Sequence, residues 1–180
     1  MDRGAVKVRF DTDLGAFDVT LDIQRAPITA GYFQKLINLR VFNGASFYRI
    51  VAPDNAEIRS DHPIEVVQGG LRDKDPQPLE PIIHEPTSVT GIRHRQWTVS
   101  TARFAPGETY GSFFICMRNE PALDQGGLRH PDGLGFAAFG HVTAGTATVE
   151  AIFQKRGDQE MLAPDDAIKI RLCNLVADDC

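Results

Sequence analysis

The chain has 180 residues, which suits one domain with a single hydrophobic core and is short for two domains joined by a linker. Its 19 basic and 24 acidic side chains give a formal net charge of -5, which disfavours nucleic acid and acidic membrane surfaces as partners. No apolar run approaches the ~20 residues that a membrane span requires, so we also expect no membrane insertion.

The N-terminus and the cysteines bear on the compartment. Residues 1–6 show neither the basic start nor the apolar stretch of a secretory signal, so a cytoplasmic location is expected, with the periplasm as the alternative if a signal has been removed. Cys116, Cys173 and Cys180 cannot all pair, and none has C-x-x-C spacing. We therefore expect free thiols rather than a disulfide framework or a zinc site.

The first half of the chain predicts a hairpin and a helix. Residues 6–10 and 17–21 alternate apolar and polar side chains on either side of the turn residues 11–15, which is typical of a β-hairpin. Pro27 then opens a helix whose apolar residues follow helical spacing until Asn43-Gly44 stops it.

Six more short runs rich in Phe, Val and Ile predict strands at residues 46–51, 65–68, 97–102, 113–117, 136–142 and 168–172. Thr146 predicts the N-cap of a second helix that ends near Gly157. Residues 52–63 and 71–96 are predicted to be irregular, and loops of that length usually have a function or wrap the surface.

Two helices are too few for the crossovers of a parallel sheet, so the eight strands must pair mainly antiparallel. Closing the sheet on itself removes its exposed edges. The prediction is a mainly β fold, a closed eight-stranded antiparallel β-barrel capped by two α-helices. We expect a single domain over residues 1–180 with its core at about residues 6–172.

Local motifs for cofactor chemistry are missing from the sequence. None of the five histidines forms an H-x-x-x-H pair, and there is no phosphate-binding P-loop, no dinucleotide-binding glycine fingerprint and no G-x-S-x-G turn. An enzyme built on this chain is therefore expected to work without a metal, a cofactor or a covalent nucleophile.

An ordered set of strings carries a family resemblance. The strings are Phe47-Tyr48-Arg49-Ile50, Val67-Gln68-Gly69-Gly70, Thr98-Val99-Ser100-Thr101-Ala102-Arg103, Phe113-Phe114-Ile115 and Phe139-Gly140-His141-Val142. In this order they resemble the cyclophilin-type peptidyl-prolyl cis-trans isomerases, and residues 64–68, 91–94 and 136–139 look most like the bacterial branch. The resemblance extends from about residue 6 to residue 172.

This resemblance implies a groove on the outer surface of the barrel that binds proline. It implies that Arg49 is the central catalytic residue and that Arg103 contacts the substrate backbone. The positions that it marks as substrate-binding are Gln68, Phe114, Val66, Ala102, Arg103, Ser112, Leu123 and Phe136. The implied partners are Pro-containing peptides and unfolded or folding proteins, and a monomer is expected.

Ser112, Ala122 and Phe136 differ from the side chains best known at these positions in the family, so we expect a reshaped pocket. Two alternatives to an active isomerase stay open. One is a cyclophilin-fold module that binds Pro-containing peptides with little turnover. The other is a barrel that carries an apolar small molecule inside, which the many inward Phe, Val and Ile residues disfavour.

Overall fold

Eight strands close into one antiparallel barrel in the computed structural model, which describes residues 5–57, 61–72 and 78–177. The strands are β1 (Ala5–Thr12), β2 (Gly15–Asp22), β3 (Ser46–Val51), β4 (Val66–Gly70), β5 (Thr98–Arg103), β6 (Thr109–Cys116), β7 (Ala138–Ala144) and β8 (Ile168–Leu175). They pair in the order β1-β2-β7-β5-β6-β4-β3-β8, and β8 returns to β1, so the sheet has no free edge. The predicted closed eight-stranded barrel is confirmed.

Helices α1 (Pro27–Asn38) and α3 (Thr146–Phe153) are the two that the sequence predicts, and each buries an apolar face on the barrel. Helix α1 packs against β2, β7 and β8, and α3 packs against β2 and β4. Their predicted ends were partly wrong. The chain leaves α1 before Asn43 because Arg40 has a φ of 57°, which helical backbone does not adopt. The N-cap of α3 is Gly145, and Thr146 is already helical.

A third helix, α2 (Thr87–Thr90), lies inside the segment 71–96 that was predicted to be irregular, and it adds a single turn to the two helices that cap the barrel. It follows Pro86 and ends at Gly91, whose φ of 71° is left-handed. One turn is too short to show a helical hydrophobic period, which is why the sequence did not reveal it. Residues 58–60 and 73–77 of the two predicted irregular segments lie outside the described residues.

Phenylalanine rings fill the barrel. The buried rings are Phe10, Phe17, Phe33, Phe42, Phe47, Phe113 and Phe139. Phe33 of α1 stacks on Phe139 of β7 with ring centroids 4.1 Å apart, which fixes the helix on the barrel. The space left among these rings is about 10 Å³, roughly the minimum for one water molecule. The space among these rings is therefore too small for an apolar ligand, which argues against the small-molecule carrier alternative.

Candidate functional site

The site lies on the outer face of β3, β4 and β6. Alternation along each strand divides side chains between the core and this face. Phe113 belongs to the barrel core, whereas Phe114 belongs to a separate outer cluster. Likewise Val67 is in the core, while Val66 and Gln68 line the outer pocket, as the alternation along β4 predicts.

A β-bulge in β3 brings Arg49 to the same face. Phe47 and Ile50 both lie in the core, so strict alternation from Phe47 would turn Arg49 inward. The pairing with β4 shifts between Phe47 and Arg49, which leaves Tyr48 as the extra residue and pairs Arg49 with Gln68. Bulges commonly re-aim a side chain beside a functional site, and this one places a guanidinium at the pocket.

Arg49 is held by two protein groups. Its Nε and Nη2 donate to Glu160 Oε2 at 2.9 and 2.5 Å, and its Nη1 donates to Gln68 Oε1 at 2.9 Å. The Glu160 side chain is 4% exposed and that of Arg49 is 30% exposed. Three of the five N–H groups of Arg49 thus donate to protein acceptors, and the other two have no partner among the described residues.

Gln68 connects Arg49 to a buried hydroxyl network. Its amide oxygen accepts from Arg49, so its Nε2 donates to the other side, where Tyr48 Oη lies at 2.9 Å, Ser112 Oγ at 3.0 Å and Tyr110 Oη at 3.4 Å. Burial raises the pKa of Tyr48, and its hydroxyl lies 2.6 Å from Ser112 Oγ. The network fixes which face of the Gln68 amide meets Arg49.

Aromatic rings build the apolar wall of the pocket. Phe114 and Phe136 meet edge to face, with centroids 5.6 Å apart and an interplanar angle of 85°. Leu123 and Val66 pack in the same outer cluster. Behind this wall, the ring of His94 stacks on Phe114 at 6.0 Å. The His94 ring therefore supports the Phe114 side of the wall from within the protein.

His94 is itself fixed by two buried groups. Its Nδ1 lies 2.8 Å from Asp124 Oδ1 and its Nε2 lies 2.9 Å from Ser100 Oγ. Burial alone would raise the pKa of Asp124, but hydrogen bonds from the side chain and main chain of His94 outweigh it and lower that pKa. Ser100, His94 and Asp124 are hydrogen-bonded in the order of a catalytic triad, but Ser100 is fully buried and cannot reach a substrate. These three residues therefore support the pocket wall.

These elements enclose a surface pocket of about 260 Å³. It is lined by Arg49, Ile64, Val66, Gln68, Ala102, Arg103, Phe104, Tyr110, Phe114, Leu123, Arg129, His130 and Phe136. The structure therefore brings together every site residue that the sequence predicts except Ser112.

Ser112 does not line the pocket. It is fully buried, and its Oγ donates to the carbonyl oxygen of Gly69 at 3.2 Å while it contacts Gln68 and Tyr48. It lies on the same face of β6 as Tyr110 and Phe114, but its hydrogen bonds to Gln68 and Tyr48 hold it behind those two side chains. The structure gives it the role of orienting Gln68, in place of the predicted direct contact with substrate.

The side chain of Arg103 is fully occupied by protein partners. Its Nε and Nη2 donate to the carbonyl oxygen of Gly135 at 2.9 and 2.7 Å, and Nη1 donates to that of Phe104 at 2.9 Å. Its remaining N–H groups pair with Asp132 at 2.9 and 3.0 Å. The guanidinium also lies 5.1 Å from the ring centre of Phe136. Arg103 thus braces the pocket rim, and its predicted contact with substrate backbone would have to come from its own main chain.

Several residues that line the pocket or contact its lining were not predicted. Tyr110 lies on β6 at even spacing from Ser112 and Phe114, so alternation could have indicated it. Glu160, Arg129 and His130 lie in loops that give no periodic signal, and Glu160 follows Arg49 by more than a hundred residues. Long-range pairing of this kind is set by the fold rather than by any local motif.

No group of three or more His, Cys, Asp or Glu side chains is arranged to hold a metal ion within the described ranges. None of the helices in that part of the chain has the length and apolarity that crossing a bilayer requires. Cys116 and Cys173 are buried free thiols, and Cys180 lies outside the described residues.

Known structures share this fold. A cyclophilin-type peptidyl-prolyl cis-trans isomerase of Cryptosporidium parvum superposes with a TM-score of 0.70 at 16% identity, covering 97% of this chain and 99% of that one. The same protein solved in the presence of the dipeptide Ala-Pro gives a TM-score of 0.68 at 16% identity, covering 96% of this chain and 99% of that one.

Sequence relatives carry the same description. Peptidyl-prolyl cis-trans isomerase A of Dickeya dadantii is 29% identical over 82% of this chain and 70% of its own. Peptidyl-prolyl cis-trans isomerase cyp18 of Streptomyces antibioticus is 30% identical over 81% of both chains. The family model described as cyclophilin type peptidyl-prolyl cis-trans isomerase/CLD matches residues 7–175. The resemblance read from the ordered strings is confirmed, and the chain belongs to the cyclophilin-type peptidyl-prolyl cis-trans isomerase family.

Proposed function

We propose that the pocket around Arg49, Gln68 and Phe114 catalyses rotation about Xaa-Pro peptide bonds, with Arg49 as its catalytic residue. One observation carries the proposal: the Arg49 guanidinium, two of whose N–H groups have no partner in the described part of the chain, lies at a pocket whose apolar wall is made of Phe114 and Phe136. The substrates are Pro-containing segments of peptides and of folding proteins, and the chain acts on them as a monomer without a cofactor.

The chemistry needs a donor and a dry surface. Resonance in the peptide bond gives a rotation barrier of ~18–20 kcal/mol, so uncatalysed prolyl isomerisation takes tens to hundreds of seconds. Rotation breaks that resonance and leaves the proline nitrogen pyramidal and basic. A donor near this nitrogen therefore stabilises the twisted state more than the planar one. No covalent bond to the enzyme is formed.

Arg49 alone is insufficient. A hydrogen bond to a charged group contributes about 1.5–3 kcal/mol, whereas a rate gain of roughly 10⁵ requires about 7 kcal/mol. The apolar wall supplies a second contribution: a proline ring packed against Phe114 and Phe136 stays fixed while the residue before it swings. Binding energy is thereby converted into orientation of the rotating bond.

A second candidate function follows from Glu160. Because Glu160 takes the Nε edge of Arg49 and compensates its charge, the guanidinium is a weaker donor than an unpaired one would be. A pocket of this kind could bind Pro-containing peptides with little turnover.

The two functions are separated by measuring rate and affinity on one sample. NMR exchange spectroscopy on a short Ala-Pro peptide gives the isomerisation rate, and a titration gives the dissociation constant. Saturable acceleration of cis-trans exchange supports the isomerase. Binding without acceleration supports the module, and the same peptide with Ala in place of Pro is the control for both.

A further inference from the structure

The charges that line the pocket are not balanced within it. Among the residues that the structure describes, the lining contains three arginines and one histidine but no Asp or Glu. Two of the arginines are neutralised by carboxylates from outside the lining: Arg49 pairs with Glu160, and Arg103 pairs with Asp132. Arg129 is the third.

Arg129 has no ion pair among the residues that the structure describes. The one side-chain hydrogen bond that it makes to these residues runs from Nη1 to the carbonyl oxygen of His62 at 3.4 Å. Burial lowers its pKa, and the nearby charges that favour its charged form, Glu160 and Glu120, are engaged with other groups. The pocket therefore carries one half-buried guanidinium whose charge is not matched by a direct partner.

The loop 125–135 that carries Arg129 is fixed to the barrel rim. The main-chain N–H of Arg129 donates to the carbonyl oxygen of Ala122 at 3.1 Å, and that of Gly126 donates to Gly133 at 2.8 Å. Arg103 holds the far end of the loop through Asp132 and Gly135. The guanidinium of Arg129 is thus presented from a braced loop, which limits the entropy lost when it meets a ligand.

We propose that this pocket selects peptides that carry a carboxylate on a residue adjacent to the proline, with Arg129 as the specificity-determining residue. The inference rests on the proposed function and names its substrate class. A carboxylate can accept two parallel N–H donors from a guanidinium, and charge-assisted bonds of this kind strengthen where water is partly excluded. A basic residue beside the proline is disfavoured for the same reason.

The net charge of the whole chain does not oppose this selection. The formal charge of -5 would repel an acidic peptide at long range. At physiological ionic strength, however, charges more than about 8 Å apart in solvent are largely screened, whereas a contact inside the pocket is not. The local cation decides the preference once the peptide is bound.

The test compares matched peptides that differ only by Glu or Gln, placed immediately before or immediately after the proline. NMR exchange at substrate concentrations well below KM gives kcat/KM for each. At low salt we expect the Glu peptide of at least one pair to be preferred by about fivefold, and the ratio to fall as salt is added. A ratio within twofold of one for both pairs would overturn the inference.

Variants assign the preference to Arg129. Arg129→Gln should bring the Glu/Gln ratio to about one, and Arg129→Lys should keep part of it because the charge remains. Arg95→Gln is the matched control, since Arg95 is exposed, lies outside the pocket and changes the net charge equally. A ratio that survives in Arg129→Gln would refute the assignment. If no peptide is isomerised, the proposed function fails, and the same ratio taken from dissociation constants still decides the inference.

Discussion

Replacing Glu160 by Gln tests how Arg49 is positioned. The carboxylate of Glu160 accepts from Arg49 through Oε2 and from the main-chain N–H of Glu57 through Oε1 at 3.0 Å. A Gln side chain has the same shape but one oxygen, and its amide N–H₂ would face a donor on the other side. Either Arg49 or the Glu57 main chain therefore loses its acceptor.

The size of the effect follows from these contacts. A hydrogen bond to a charged group is worth about 1.5–3 kcal/mol, and the partial exposure of Arg49 favours the lower end. At about 1.36 kcal/mol per tenfold in rate, we expect Glu160→Gln to lower kcat/KM by up to about tenfold. The loss should fall mainly on kcat, because the direction of the guanidinium matters most in the twisted state.

A double-mutant cycle with Arg49→Ala separates positioning from general stability. Arg49→Ala should lower kcat/KM by at least about tenfold through loss of the donor. It also leaves Glu160 buried without its partner, and breaking a buried pair in this way typically costs about 3–5 kcal/mol. We therefore expect this variant to have a lower melting temperature than the parent chain.

The assay is exchange spectroscopy for the rate and thermal unfolding for stability, on both single variants and on Arg49→Ala/Glu160→Gln. We expect the double variant to recover stability relative to Arg49→Ala without recovering activity. Asp54→Asn, which breaks an exposed pair with Arg156, is the control and should change neither. An equal further loss of rate from Glu160→Gln in the Arg49→Ala background would show that Glu160 does not act through Arg49.

Three further outcomes are expected. The hydrogen bond from Arg103 lowers the pKa of Asp132 to about 2. The ionised Asp132 therefore stabilises the folded chain above pH ~4, and this stabilisation is lost as the pH falls toward 2. The melting temperatures of the parent chain and Asp132→Asn should differ at pH 6 and converge at pH 2. Ser112→Ala should reduce kcat by a few fold and unfolding free energy by about 1–2 kcal/mol, since Gln68 and Tyr48 lose a buried partner; unchanged kcat would remove Ser112 from the orientation of Gln68. Treatment with EDTA should leave the isomerisation rate unchanged, and a rate restored only by added metal would reveal a site formed by distant residues.

Much of the barrel could be predicted because strand patterning is a local property. Alternation within residues 6–10 and 17–21 indicates one buried face, and the register of β1 with β2 follows the turn between them. Ends of elements are less predictable. Trp97 was included in a predicted strand, but its φ of 70° excludes it from β5. Phe136 was likewise included, yet it precedes β7 and lies in the pocket wall.

The predicted site depended on the ordered strings rather than on patterning. Periodicity alone assigns Val66, Gln68 and Phe114 to one outer face, but it is ambiguous in β3: counted from Phe47 it turns Arg49 inward, and counted from Ile50 it turns Arg49 outward. The resemblance selected the outward placement of Arg49, since six residues are too few to show that a bulge separates the two phases of the alternation.

The two features that local patterning misses, the bulge at Tyr48 and the buried Glu160, depend on each other. The bulge moves the Arg49 side chain from the core to the outer face, because a guanidinium in the core could not be solvated. Glu160 then supplies the negative charge that balances Arg49 at this partly buried position. Neither arrangement is favourable alone: an unbulged β3 would bury Arg49, and Glu160 without Arg49 would be an unpaired buried carboxylate. Local rules of strand geometry and burial are thus broken together at one place, and that place is the pocket where a charged donor must meet an apolar wall.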